Sequence, residues 1–388
     1  MLFKESTLRT ERHIMAKPKH IKFIDLFAGI GGFHYAFHSV GGECVFASEL
    51  DKNARLSYES NFKDISPKLF QKNTAGNYQF FNEDINDVVL DEVPSFDILC
   101  GGFPCQAFSI AGLRKGFEDT RGTLFFNIAS IIDDKIKKGD KPKVLLLENV
   151  KGLKSHMKGE TLKTLLRVLR EDLKYQVQIE VLNAKYFGVP QNRERLFFVC
   201  WDYEQIPLLE GEFKFPRGLD EAFNVIFDPE KLCNARKTEV RDIFEPEASL
   251  PVEMTISDRM WAGHQARKKR NKENGKGFGY SLFTGDSPYC STISARYWKD
   301  GSEILIDQSE KGKNPRKLTP VEAGRLQGYR IVGNGWENPN QDIISDLPEM
   351  KIVVSKKEAY RQFGNSVAVP VVKTLASEIM KQLINKIK

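Results

Sequence analysis

IKFIDLFAGIGGFHYAFHSV, residues 21–40, breaks into a short apolar run, a glycine turn and a helical pattern. Strand, turn, helix is the opening of an α/β unit. Gly29, Gly31 and Gly32 let the backbone turn tightly and approach a ligand, while the helix that follows presents its N-terminus. Glu49, twenty residues beyond Gly29, closes the next strand pattern, CVFASEL (44–50), where a carboxylate can accept from both hydroxyls of a ribose. These residues alone fit a dinucleotide and S-adenosylmethionine almost equally. His34 and His38 are spaced to share a helix face but have no further ligand at usable spacing, so no metal site is expected.

Outward from this unit, FDILCGG (96–102), KVLLLENV (143–150) and QVQIEVLNA (176–184) read as strands. Helical patterns such as TLFFNIASIIDDKIKK and TLKTLLRVLRED lie between them. The alternation implies an α/β fold with a mainly parallel, doubly wound sheet whose ligands bind beyond the carboxyl ends of the strands. It stops near residue 202. From 203 to 314 the chain is rich in Gly, Pro, Lys and aromatics, carries a basic run at 267–272, expected in a loop, and shows only short strand-like pieces such as STISARYW (291–298). Helical character returns in 315–388. Four parts follow: an arm, 1–20; a first α/β part, 21–202; a smaller, irregular, mainly-β part, 203–314; and a closing part, 315–388.

Length and composition agree with this division. A chain of 388 residues allows two or three domains, and 41% hydrophobic with 28% charged residues is ordinary for a globular protein. The net charge of +6 permits a polyanionic partner without requiring one. No apolar stretch is long enough to span a bilayer, and six scattered cysteines form no CxxC pair, so a cytoplasmic chain with reduced thiols is expected.

Reactive groups gather at the strand ends. Cys105 follows FDILC within a Gly-Pro turn that would bare a nucleophile, whereas Cys100 inside the apolar run reads as core. Glu148 ends KVLLLENV, where burial would raise its pKa and suit it to protonate a ring nitrogen; a rim charge or helix cap fits the same position. Arg193 and Arg195, at i and i+2 on a strand, would share a face able to hold a phosphate or carbonyl oxygen, although an edge strand of alternating charge looks alike. Asp84, in NEDI, could accept from an adenine amino group or cap a helix.

Six stretches taken together are more specific. DLFAGIGGF (25–33), GGFPCQAFS (101–109), ENV (148–150), QNRERLF (191–197), RKLTPVEAGRLQGY (316–329) and YRQFGNSVAVPVV (360–372) resemble, in order, the motifs of DNA (cytosine-5)-methyltransferases of the bacterial restriction-modification type. The variable segment falls where that family carries its target recognition domain. The resemblance implies an S-adenosylmethionine-dependent methyltransferase fold and methylation of cytosine C5 in duplex DNA, on a base flipped out of the stack. It implies that the Cys105 thiolate adds to C6, that Glu148 protonates N3 and that Arg195 holds the O2 edge. Arg193 would steady Glu148 or a backbone phosphate. Phe103, Pro104, Gln106 and Ser109 would meet the base or DNA, the last two on a loop, 106–121, that closes over it. Cofactor contacts carry over to Phe27, Gly29, Gly31, Glu49, Asp84, Ile85, Leu124, Asn365 and Ser366, with no metal.

In the variable segment, Arg296, Tyr297, Lys299 and the basic run are candidates for DNA contact. The expected partners are double-stranded DNA and, functionally, a cognate restriction endonuclease; the enzyme is expected to be a monomer. A nicotinamide oxidoreductase would explain the glycine turn and Glu49 but leaves PCQ, ENV and QNRER without roles. An RNA substrate within the same family is the nearer alternative.

Overall fold

The computed structural model describes residues 21–104, 124–209, 211–331 and 347–386. Cys105, Gln106, Ser109, the 106–121 loop and the 1–20 arm lie outside them. β1 (Lys22–Leu26), β2 (Glu43–Ser48), β3 (Phe81–Asn82), β4 (Ile98–Gly102), β5 (Val144–Val150), β6 (Gln176–Asn183) and β8 (Glu194–Trp201) form one seven-stranded sheet in the order β3-β2-β1-β4-β5-β8-β6. β1 to β5 pair in parallel, while β8 runs antiparallel to both β5 and β6. The sheet is thus mainly parallel, with β8 as its antiparallel strand. The connection 184–193 is too short to cross back over the sheet, and an antiparallel return is the only pairing it can reach.

Alternation along β1 sends Phe23 into one apolar layer and Ile24 and Leu26 into the other. The first layer packs α1 (Gly32–Ser39), α2 (Lys52–Phe62) and the C-terminal helix Val369–Lys386 through Phe37, Tyr58, Phe62, Leu375 and Ile379. The second packs α3 (Leu124–Lys137) and α4 (Glu160–Arg167) through Phe125, Ile128, Ile132 and Leu165. The spacing of Phe125, Ile128, Ala129 and Ile132 is that of a helix with one buried stripe. β1 has β2 on one side and β4 on the other, so the chain reverses its direction of travel across the sheet there, and a crevice opens beyond the strand ends.

Between 203 and 314 the strands are two residues long: Gly218–Leu219 with Val225–Ile226, Leu282–Phe283 with Leu305–Ile306, and Cys290–Ser291 with β7 (Gln191–Asn192). The longest element is a helix, α5 (Asp258–Glu273), capped by Ser257, so this part is not mainly β among its described residues. The basic run is the last half of α5 and not a loop. Its helical period is hard to read because a thin stripe around His264 carries the packing and nearly everything else is exposed. α6 (Pro320–Leu326) begins with a capping box of Thr319 and Glu322, and Glu322 also grips Arg316 through two hydrogen bonds, at 2.7 and 3.0 Å. No helix is long and apolar enough to cross a membrane among the described residues.

Candidate active site

A cleft of about 470 Å³ lies beyond the carboxyl ends of β1, β2, β4 and β5. Phe27, with φ of 55°, and Gly29, with φ of 56°, turn the chain in the left-handed region and lay its backbone along the cleft. Glu49, at the end of β2, also lines it. One carboxylate oxygen accepts from the Gly29 N–H and the other from the Asp51 N–H, both at 2.8 Å. Burial raises the Glu49 pKa above the usual carboxylate range, and these two donors oppose the shift. The result is a carboxylate held in one orientation with lone pairs left for a diol. Leu124, Asn365 and Ser366 complete this end of the cleft.

The opposite end holds Glu148, Arg195, Phe103 and Pro104. Arg195 Nε lies 3.0 Å from Glu148 Oε1, and both side chains are largely buried. Burial is the main influence on Glu148 and raises its pKa; Arg195, then Arg193, pull it back. Asn149 donates to the Phe103 carbonyl at 2.8 Å and accepts from its neighbour Val150, which ties the end of β4 to the end of β5. Gly102 is paired with Glu148 across the ladder, and a Cβ there would sit 3.3 Å from Glu148 Oε2. β8, running against β5, sets its first residues at this same edge of the sheet, and Arg195 is the register partner of Val150.

Several expected residues go elsewhere. Gly31 does not line the cleft: it faces α2, where a Cβ would collide with the Phe62 ring. Asp84 takes the capping role, accepting from the Asn86 backbone at 2.9 Å, and Ile85 is buried in the apolar layer beside α3; neither lines the cleft. Arg193 does border the cleft; its guanidinium donates to the carbonyls of Ile293, Gly364 and Ser366, and it acts on Glu148 through its charge. Tyr297 is fully buried, donating to the Ile304 carbonyl and accepting from the Leu318 N–H at 2.8 and 2.7 Å, which withdraws it from DNA. Arg296 is exposed. Arg267 is bound to Asp300, and Lys268 lies over the Tyr280 ring, which leaves Lys269, Arg270 and Lys272 as the outward cations of the basic run.

The sequence reading missed an ion pair at the rim. Arg361, on the helix Lys356–Asn365, contacts Asp51 at 2.6 Å, and Asp51 caps α2 through the Ala54 N–H. Asp51 followed by a helical pattern was a readable cap signal; nothing local marked Arg361, which is brought in from 310 positions away. Among the described residues, no group of three or more His, Cys, Asp or Glu is placed to hold a metal.

Known proteins share this architecture and sequence. A solved structure of the Dnmt2 methyltransferase of S. pombe superposes with a TM-score of 0.64 at 19% identity, over 94% of this chain and 99% of that one. The Type II methyltransferase M1.ScrFI of Lactococcus lactis subsp. cremoris is 46% identical over 95% of this chain and 80% of its own length. M.NlaX of Neisseria lactamica, also a Type II methyltransferase, is 44% identical over 93% and 97%. The model of the C-5 cytosine-specific DNA methylases matches residues 21–381, which takes in both ends of the cleft and every strand of the main sheet. The carboxylate of Glu49 and the Glu148–Arg195 pair share one crevice within the matched region, and the chain belongs to the C-5 cytosine-specific DNA methylase family.

Proposed function

We propose that the chain methylates cytosine C5 at a specific site in double-stranded DNA, through a covalent adduct on a flipped-out base, as the modification enzyme of a restriction-modification system. The observation that carries this reading is the cleft with Glu49 at one end and the Glu148–Arg195 pair at the other. S-adenosylmethionine, when bound, supplies the electrophilic methyl group. Glu49 holds its ribose, Phe27 and Leu124 flank the nucleoside, and Asn365 and Ser366 close the pocket.

Cytosine C5 is a weak nucleophile. The Cys105 thiolate forms a bond to C6, and the displaced electron pair makes C5 enamine-like while charge develops toward N3. Glu148, kept toward its acid form by burial, gives a proton to N3. Arg195 has its Nε on Glu148 and its Nη1 on the Glu194 carbonyl, leaving its remaining donors for O2, where they act most strongly in the transition state. After C5 takes the methyl group, a water molecule accepts the C5 proton, the C6–S bond breaks to free the thiolate, and N3 returns its proton to Glu148, which restores the aromatic ring and the acid for the next turnover. Phe103 and Pro104 form the wall beside the base, and Gln106 and Ser109 meet it from the loop.

The test of this reading is bisulfite sequencing of DNA from cells expressing the chain. C5 methylation confined to one recurrent motif supports it, and unmodified DNA alongside methylated RNA would replace it with the RNA alternative. Glu49→Ala should weaken S-adenosylmethionine binding by about 1–3 kcal/mol through loss of charge-assisted ribose bonds. Calorimetry should find duplex affinity nearly unchanged; an equal loss of both would make Glu49 structural.

Residues 203–314 are proposed as the target recognition part. Arg296→Ala should cost about 1–3 kcal/mol and relax discrimination at one base pair if it meets a guanine edge. Neutralising Lys269, Arg270 and Lys272 should instead weaken all duplexes alike and flatten the salt dependence of binding. Methylation rates on single-base variants of the mapped site, at several salt concentrations, separate the two. We place the enzyme as a monomer in the bacterial cytoplasm, working alongside an endonuclease of the same specificity.

A further inference from the structure

The stretch that begins at Cys290 is joined directly to β7, just ahead of Arg193, and to the segment at Gly364 that lines the cleft. Cys290 and Ser291 pair with Gln191 and Asn192, the Ile293 N–H donates to Gln191 Oε1 at 3.1 Å, and Thr292 donates to the Asn192 carbonyl at 2.7 Å. Its next residues lie against the pocket-closing segment. A Cβ on Gly364 would overlap the backbone of Ser294 and Ala295, so the two main chains touch with no side chain between them. Arg193 sits at the junction. It is 2% exposed, and it donates to Ile293 on one side and to Gly364 and Ser366 on the other, at 3.3, 3.2 and 2.5 Å.

A guanidinium is costly to bury, and burial is what pulls the Arg193 pKa down, to about 9. Its carbonyl partners come from segments 100 and 171 to 173 residues away, so the charge organises no local turn. Its Nε has no partner among the described residues, which leaves the joint held by the two Nη nitrogens alone. Tyr329 makes a second, separate hold on the same pocket segment: its hydroxyl lies 2.6 Å from Ser366 Oγ.

We propose that Arg193 is a positioning residue that couples duplex engagement to cofactor affinity, by tying the Cys290–Arg296 stretch to the Gly364–Ser366 wall of the pocket. The inference rests on the reading that the first of these faces DNA and the second faces the cofactor. A duplex that orders residues around Arg296 fixes Ile293 and Ser294, and through Arg193 and Gly364 it fixes the carbonyls that shape the pocket. The energy already spent on ordering that wall is then not charged against the nucleoside. Linkage requires the reverse effect to be equal: bound cofactor must tighten duplex binding by the same factor.

The experiment measures the affinity of S-adenosylhomocysteine, which cannot donate a methyl group, with and without a duplex carrying the mapped site, and the affinity of the duplex with and without S-adenosylhomocysteine. For the wild type the two ratios should agree at roughly 5-fold or more. Arg193→Lys keeps the charge but loses the fork that spans three carbonyls, and its ratio should fall toward one. Gly364→Ala, which pushes Ser294 and Ala295 away and leaves the Arg193 side chain itself unaltered, should do the same and carries the test if Arg193→Lys does not fold. Tyr329→Phe is the control. It loosens Ser366 alone, so it should weaken S-adenosylhomocysteine equally with and without duplex and leave the ratio as in the wild type.

A wild-type ratio of one, a wild-type ratio retained in both test variants, or a ratio lost as fully in Tyr329→Phe as in Arg193→Lys overturns the coupling. A wild type that binds both ligands independently sinks this inference only. One that binds no S-adenosylhomocysteine and methylates no DNA removes the function on which it rests.

Discussion

Cys105→Ala is expected to lower methyl transfer by a factor on the order of 10⁴–10⁶, with S-adenosylmethionine affinity unchanged. No other step in the proposed sequence can activate C5, and the carboxylate that would hold the ribose, Glu49, is fixed by the Gly29 and Asp51 N–H groups. The other cysteines are poor substitutes. Cys44, Cys100, Cys200 and Cys290 are buried, and burial pushes each thiol up and away from the thiolate. Cys233 is exposed and does not line the cleft. A duplex with 5-fluorocytosine at the mapped position should form a denaturation-resistant adduct with the wild type and none with the variant, because fluorine cannot leave as a cation and elimination is blocked. A trapped peptide carrying Cys100 would refute the assignment, as would turnover by Cys105→Ala near the wild-type rate.

Glu148→Gln is expected to lower kcat by about 10²–10⁴, since the amide can hydrogen-bond N3 but cannot protonate it. The pH dependence has a definite sign. Burial raises the Glu148 pKa and favours the acid form, while Arg195 favours the carboxylate. The wild-type rate should therefore decline on the alkaline side as Glu148 loses its proton. Arg195→Gln removes the opposing charge, so the decline should move to higher pH even as the rate drops for want of the O2 contact. Single-turnover rates across pH for the wild type and both variants are the measurement. An alkaline limb that persists unchanged in Glu148→Gln would belong to another group.

The Arg195 contact shows how far the sequence reaches. ENV and QNRER were readable as charged strand ends, and Glu148 as a residue whose burial would raise its pKa, because the apolar run before it fixes a buried strand. That the two motifs meet was not readable from strand periodicity, which carries no direction. Pairing β8 antiparallel to β5 brings the start of one strand to the end of the other; with β8 parallel, Arg195 would sit at the far edge of the sheet from Glu148. The ordered motifs implied the meeting by resemblance, and chain connectivity supplies its physical cause.

Residues 203–314 show the opposite balance. Their composition announced a different build, yet α5 was hidden by its thin apolar stripe, and Tyr297 looked like a base reader because aromatic and basic neighbours surround it in the sequence. Its hydroxyl is instead consumed by Ile304 and Leu318.

By itself, then, the sequence determined the alternation of strands and helices, the glycine turn with its carboxylate, and which side chains are chemically able to act. These follow from local hydrophobic period and residue type, which depend only on near neighbours in the chain. The tertiary structure decided the direction of β8, the inward turn of Tyr297, the Asp51–Arg361 rim and the attachment of Arg193 to Ile293, Gly364 and Ser366. Each of these joins segments whose proximity depends on how the layers close around the sheet, and no local pattern encodes that.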